Sequence, residues 1–127
     1  ETVSPNIPST IDAAALCKMA DRGQIRGAIL DGPLAFDNAI SHAAADTKGI
    51  HSQVAGEPDI LIVPDLESGN MLAKQLSYLA AAASAGVVMG ARVPIVLTSR
   101  AEDAQGRLAS AAIANVLGHK MSQGGVK

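Results

Sequence analysis

Thr98-Ser99-Arg100 sets two hydroxyls beside a guanidinium, and Glu102 and Asp103 follow at once. A guanidinium offers a planar fork that grips a phosphate or a developing oxyanion through two parallel N–H bonds. A nearby carboxylate can take the proton of an incoming nucleophile if burial raises its pKa toward the working pH. The trio and its acids suit acyl or phosphoryl transfer, and the same acids would equally complement the dipole of a helix starting just after them. A second cluster, Pro64-Asp65-Leu66-Glu67-Ser68-Gly69-Asn70, leaves an apolar run and enters a helical pattern through a glycine. Backbone amides and a helix N-terminus could face an anion there, or Ser68 and Asn70 could simply cap the helix. The cluster is neither a P-loop nor GxGxxG, so it carries no nucleotide fingerprint. Asp31 before Gly32-Pro33 reads as a turn former, and Asp37-Asn38 as a helix start. Cys17 has no histidine near it in sequence and reads as a packed, inert thiol. The three histidines, His42, His51 and His119, form no HExxH or Cys/His cluster, so no metal site is expected.

The elements that must position these residues follow from periodicity. Ser9-Thr10-Ile11-Asp12 opens a first helix, with Ile11, Ala15 and Met19 on one face, Lys18, Asp21 and Arg22 outside, and Gly23 ending it. Ile25 to Asp31 reads as a short strand buried on both faces, stopped by Gly32-Pro33. Phe36 to about Thr47 predicts a second helix, with Lys48 in a cationic last turn and Gly49 as a left-handed cap. Asp59-Ile60-Leu61-Ile62-Val63 is the clearest strand, closed by Pro64. A third helix is expected from near Asn70, with Met71, Leu72, Leu76, Leu79, Ala80 and Ala83 inward, Lys74, Gln75 and Ser77 outward, and Gly86 after its end. Gly86 to Met89 and Pro94 to Thr98 read as strands whose short connection forbids a crossover helix, so they either form a hairpin or sit apart in the sheet. Glu102 to about Leu117 closes the series as a helix with a stripe of Leu108, Ala111, Ala112 and Val116. Alternation of this kind predicts an α/β domain with a layered, largely parallel or mixed sheet, whose ligands bind in the loops at the carboxyl ends of strands.

Composition narrows the function classes. The chain has 127 residues, 48% of them apolar, but 24 are alanine, so large core side chains suffice for one domain and not for two. A net charge of −2, no Trp, one Tyr (Tyr78) and one Phe (Phe36) argue against a nucleic-acid partner, which would need a basic surface or stacking rings. The longest weakly polar run, Tyr78 to Ala91, has 14 residues, short of the roughly 20 a spanning helix needs. No membrane is therefore expected. No signal peptide is read at Glu1, and a cytoplasmic location is the expectation.

Taken together, three blocks resemble one family. They are Asp31-Gly32-Pro33-Leu34-Ala35-Phe36-Asp37-Asn38-Ala39, then Val54-Ala55-Gly56 leading to Asp59 through Asn70, then Pro94-Ile95-Val96-Leu97-Thr98-Ser99-Arg100. In this order they are similar to the C-terminal half of phosphate acetyltransferases and phosphate butyryltransferases, closer to the butyryltransferase-like branch, including versions fused to an enoyl-CoA hydratase-type domain. The resemblance covers roughly Val3 to Ala114. It implies a two-part α/β fold related to isocitrate and isopropylmalate dehydrogenases, with residues 1–118 as the C-terminal portion of the acyltransferase domain and 119–127 as a tail.

The activity implied is transfer of an acetyl or butyryl group between CoA and inorganic phosphate, without a covalent acyl-enzyme and without a metal. A carboxylate would deprotonate the CoA thiol, which attacks the carbonyl of the acyl phosphate. Ser99 and Arg100 match the family's serine-arginine pair, to which substrate binding and charge stabilisation are assigned. Ser68, Gly69, Asn70 and Thr98 would line the same cleft. The acetyltransferase branch places its proposed base six residues beyond the arginine; here that position is Gly106, which leaves Asp103 as the substitute. Acyl-CoA, phosphate or acyl phosphate, a homo-oligomeric partner and an N-terminal half carrying further contacts complete the expectation, so the isolated 127 residues are expected to be inactive. The alternative is a non-catalytic acyl-CoA-sensing and oligomerisation module like that ending some malic enzymes.

Overall fold

A computed structural model describes residues 1–124 and divides the chain into two compact units, Glu1–Asp65 and Leu66–Lys127, where the composition suggested one domain. The first unit holds α1 (Pro8–Asp21), α2 (Phe36–Ile40) and α3 (His42–Thr47). The second holds α4 (Leu66–Leu79), β1 (Val87–Val88), β2 (Ile95–Val96) and α5 (Ala104–Ser122). No helix of the described residues is long and apolar enough to cross a membrane.

In the first unit the expected first helix forms, but its N-cap is Ile7 without a side-chain bond, and Pro8 takes the first turn, where its missing N–H costs nothing. Thr10 Oγ1 instead accepts from Ser4 N–H at 2.9 Å and tethers the chain ahead of the helix. The helix ends at Gly23, which adopts a left-handed φ of 72°. Its expected apolar face is corrected: Ile11 and Met19 are exposed, while Ala13 and Cys17 face the Asp31-Gly32-Pro33 turn. Small side chains let the helix approach that backbone closely. The single helix expected over 36–47 is two, broken at Ser41, whose extended backbone lets its hydroxyl accept from Ala44 N–H and cap α3. Gly49 closes α3 as expected, at φ 67°.

Ile25 to Asp31 and Asp59 to Val63 form no ladder among the described residues. Ile60 and Ile62 are 71% and 80% exposed, so the burial on both faces expected for this run is not realised within this chain. A branched apolar run favours extension, but a strand exists only when a neighbour accepts its backbone bonds. The largely parallel sheet is corrected accordingly. The sole ladder of the described residues is antiparallel, pairing Val87 with Val96 and Val88 with Ile95 as a hairpin. Helices with a small sheet keep the chain in the α/β class.

The second unit packs α5 on this hairpin. Its contact face is corrected as well: Leu108 is 71% exposed and Val116 lies outward too, whereas Gly106, Ser110 and Ala114, four residues apart, are buried. Gly86 allows the closest approach, because a Cβ there would overlap the Leu97 carbonyl oxygen. The third helix begins at Leu66, not Asn70, and stops at Leu79, well before Gly86. Ala81 takes a left-handed φ of 52°, and Ala82 N–H returns to the Leu76 carbonyl at 3.0 Å, closing the helix without a glycine. Met71, Leu76 and Leu79, expected inward, are exposed. The last helix runs through Ser122, so the start of the expected tail is helical; residues 125–127 lie outside the described residues.

Candidate functional site

Within the second unit, one side of α4 and the loop from Thr98 to Asp103 enclose an open groove of about 630 Å³. Asn70, Lys74 and Tyr78 follow one another at four-residue intervals, so one face of the helix presents all three to it. Thr98, Ser99, Glu102, Asp103 and Gly106 supply the opposite wall. The structure thus brings together Asn70, Thr98, Ser99 and Asp103 among the residues expected from sequence. Ser68 and Gly69 lie in the first turn of α4 rather than in a loop before it, and neither lines the groove. Arg100 is exposed and also stands outside the lining.

Asp103 is the N-cap of α5: Oδ1 accepts from Gly106 N–H at 2.8 Å. The helix-dipole reading of this acid is realised, with its second carboxylate oxygen not needed for the cap. Ser99 Oγ accepts from Ala101 N–H at 3.2 Å, holding the turn that follows the hairpin. Glu102 is half-buried and accepts from Ser84 Oγ at 3.3 Å. Its carboxylate fills the space beside Gly106, so that a Cβ at position 106 would collide with it.

Lys74 is a groove residue that sequence reasoning did not single out. Helical periodicity put it outward with Gln75 and Ser77, and it is exposed; its ammonium lies 3.5 Å from Ser99 Oγ and 5.8 Å from the centroid of the Tyr78 ring. The ring contact contributes about 0.5–1 kcal/mol at an exposed position. The signal available was the Asn70, Lys74, Tyr78 spacing itself.

In the first unit, Asp31 Oδ1 accepts from Gly32 N–H at 2.8 Å, which realises the turn-forming role. Burial, followed by the charges of Asp31 and Asp21, pushes the Cys17 thiol above its ordinary pKa. A thiol held protonated is a poor nucleophile, and Sγ instead faces the Gly32 carbonyl at 3.6 Å. Gly56, at φ 98°, packs so closely on His42 that a Cβ would overlap its ring. His42 Nε2 reaches Glu57 at 3.4 Å on the surface, and His51 borders a small recess with Asp31. Among the described residues no group of three or more His, Cys, Asp or Glu side chains is placed to hold a metal.

The sequence profile of the phosphate acetyl/butaryl transferase family matches residues 1–115. The phosphate acetyltransferase of Rhizobium meliloti is 68% identical over 114 residues, which are 90% of this chain and 36% of that protein. The probable phosphate butyryltransferase of Bacillus subtilis is 54% identical over 114 residues, 90% of this chain and 38% of that protein. Relatives named for acetyl and for butyryl transfer both match, the Rhizobium meliloti protein at the higher identity of these two. A crystal structure of a branched-chain phosphotransacylase from Enterococcus faecalis superposes with a TM-score of 0.76 at 33% identity, covering 91% of this chain and 41% of that one. The chain spans little more than a third of the length of the curated relatives it matches, and these matches do not support the expectation that it is their C-terminal half. Profile, identities and backbone agree over nearly all of the chain, which belongs to the phosphate acetyl/butaryl transferase family.

Proposed function

We propose that this chain is part of a phosphate acyltransferase that moves an acetyl or butyryl group between CoA and inorganic phosphate, using the groove along α4. The observation that carries the reading is the meeting of a hydroxyl, a cation and two carboxylates, Ser99, Lys74, Glu102 and Asp103, in one groove of a chain from this family. In the direction of CoA acylation, a carboxylate takes the thiol proton and sulfur attacks the carbonyl carbon of the acyl phosphate. The carbon–sulfur bond forms, the carbon–oxygen bond to phosphate breaks, and phosphate leaves with the electron pair. Asp103 or Glu102 is the proton acceptor, Ser99 donates to the developing oxyanion, and Arg100 grips the leaving group from the rim. Thr98 and Asn70 border the substrate, and Ser68 and Gly69, in the first turn of α4, precede Asn70. No metal takes part, and a cytoplasmic, homo-oligomeric enzyme is the corresponding expectation.

The test is to graft this segment into the Rhizobium meliloti phosphate acetyltransferase in place of its matching residues and follow thioester formation from acetyl phosphate and CoA. The graft is expected to turn over, and Arg100→Lys to lose at least about tenfold because charge without the planar fork is a poor substitute. Asp103→Asn and Glu102→Gln identify the base by which of them shifts the acid limb of the pH profile. A folded graft that binds acyl-CoA without turnover would replace this reading with that of a sensing module.

A further inference from the structure

We infer that Lys74 is the cation that holds a phosphoryl group in the groove, a role that rests on the acyl-transfer reading above. Three observations carry it. Lys74 is the one cationic side chain among the groove's lining residues. Among the described residues no carboxylate stands within 4 Å of its ammonium, so its charge is uncompensated in a groove that holds two acids farther along. Its position is also supported: the Tyr78 ring, one turn on, faces the ammonium at 5.8 Å, and Ser99 Oγ stands at 3.5 Å, the outer limit of a hydrogen bond.

An ammonium has three donors, and neither a ring face nor so long a hydroxyl contact saturates them. A phosphoryl oxygen entering between Lys74 and Ser99 would accept from both. Lysine suits this place because its point charge accepts an oxygen from several directions, which tolerates a group that arrives as acyl phosphate and departs as phosphate. Glu102 and Asp103, on the opposite wall, repel the anion toward the Lys74 end and leave the thiol proton to their own side. The phosphoryl group is either that of phosphate and acyl phosphate or one carried by CoA.

In the active graft, Lys74→Gln is expected to raise KM for phosphate at least tenfold while KM for CoA stays within twofold, and Lys74→Arg to restore most of the loss. A rise confined to CoA would keep the phosphoryl contact and assign it to the phosphates of that substrate. Unchanged KM values for both substrates would overturn the inference while leaving the acyl-transfer reading intact. Should the graft with Lys74 intact fail to turn over, the acyl-transfer reading falls, and the 127-residue chain decides on Lys74 by itself. Titration with millimolar inorganic phosphate, followed by NMR, is expected to shift the Ser99 amide in the wild-type chain and not in Lys74→Gln. Equal shifts in both, or none in either, would overturn it.

Discussion

Among the described residues each unit buries one polar side chain completely, and the two are used in opposite ways. Ser110, on α5 of the second unit, is 0% exposed; its hydroxyl accepts from Gly86 N–H at 2.9 Å and donates to the Gly106 carbonyl at 2.8 Å. One oxygen ties the helix to the residue that leads into the hairpin. Asn38, on α2 of the first unit, is equally buried, and its amide nitrogen donates to Glu1 Oε2 at 3.2 Å. Its Oδ1 has no partner among the described residues. A buried acceptor left without a donor forfeits its hydration, at a cost of roughly 1–3 kcal/mol. The second unit thus uses burial of a polar group to join the elements behind the groove, while the first anchors Asn38 only to the first residue described, which is itself held by Lys48 at 3.5 Å.

The contrast breaks most severely if a charge replaces the unmatched amide. Asn38→Asp would bury a carboxylate beside that of Glu1, and we expect a loss of about 3 kcal/mol or more at neutral pH, read from urea unfolding. Desolvation raises the folded-state pKa of such a group, so the penalty is felt above the ordinary carboxylate range. It should shrink as pH falls and both states bind the proton. A loss below about 1 kcal/mol at neutral pH would mean that this side chain is reached by solvent.

Ser110→Ala is the next largest, at about 1–3 kcal/mol, because Gly86 N–H loses its acceptor in a half-buried place. No ionisable group is involved, so unlike the asparagine variant its loss should be the same at pH 5 and pH 8. A pH-dependent loss would show that the serine acts through a titrating neighbour.

The smallest effect belongs to the surface cluster around Lys48, which reaches Asp37 at 2.9 Å. The Lys48 hydrogen bond holds the Asp37 carboxyl below its ordinary pKa, and the same bond raises Lys48. The pair's contribution is therefore full between the ordinary values of the two groups. It is lost as pH falls through the lowered value of Asp37 or rises through the raised value of Lys48. Lys48→Met should return the Asp37 titration, followed by carboxyl NMR, to the ordinary range. An unmoved midpoint would detach Lys48 from Asp37.

Helix existence was legible because it is written in neighbours: Gly23 and Gly49 stop α1 and α3 as their positions imply, and Asp103 caps α5. Which face each helix buries was not legible. Periodicity pointed to Ile11, Met71 and Leu108, but the contacts inside each unit are made by Ala13, Ser110 and Ala114. In an alanine-rich chain, small residues permit backbones to approach, and the large apolar side chains remain outside.

By itself, then, the sequence determined the local turns of chain, the hydroxyl and carboxylates at 99–103, and three blocks specific enough to name a family. The tertiary structure decided what depends on partners distant along the chain. Val87–Val88 and Ile95–Val96 found each other and formed a ladder, whereas Ile60 and Ile62, with the stronger strand pattern, have no ladder partner among the described residues. Lys74 stays exposed as its helical position implies, and it becomes the groove's cation only because Ser99, 25 residues away, folds back within reach of it. Hydrogen-bonded turns close over three or four residues, but ladders and grooves require chain segments that local periodicity cannot bring together.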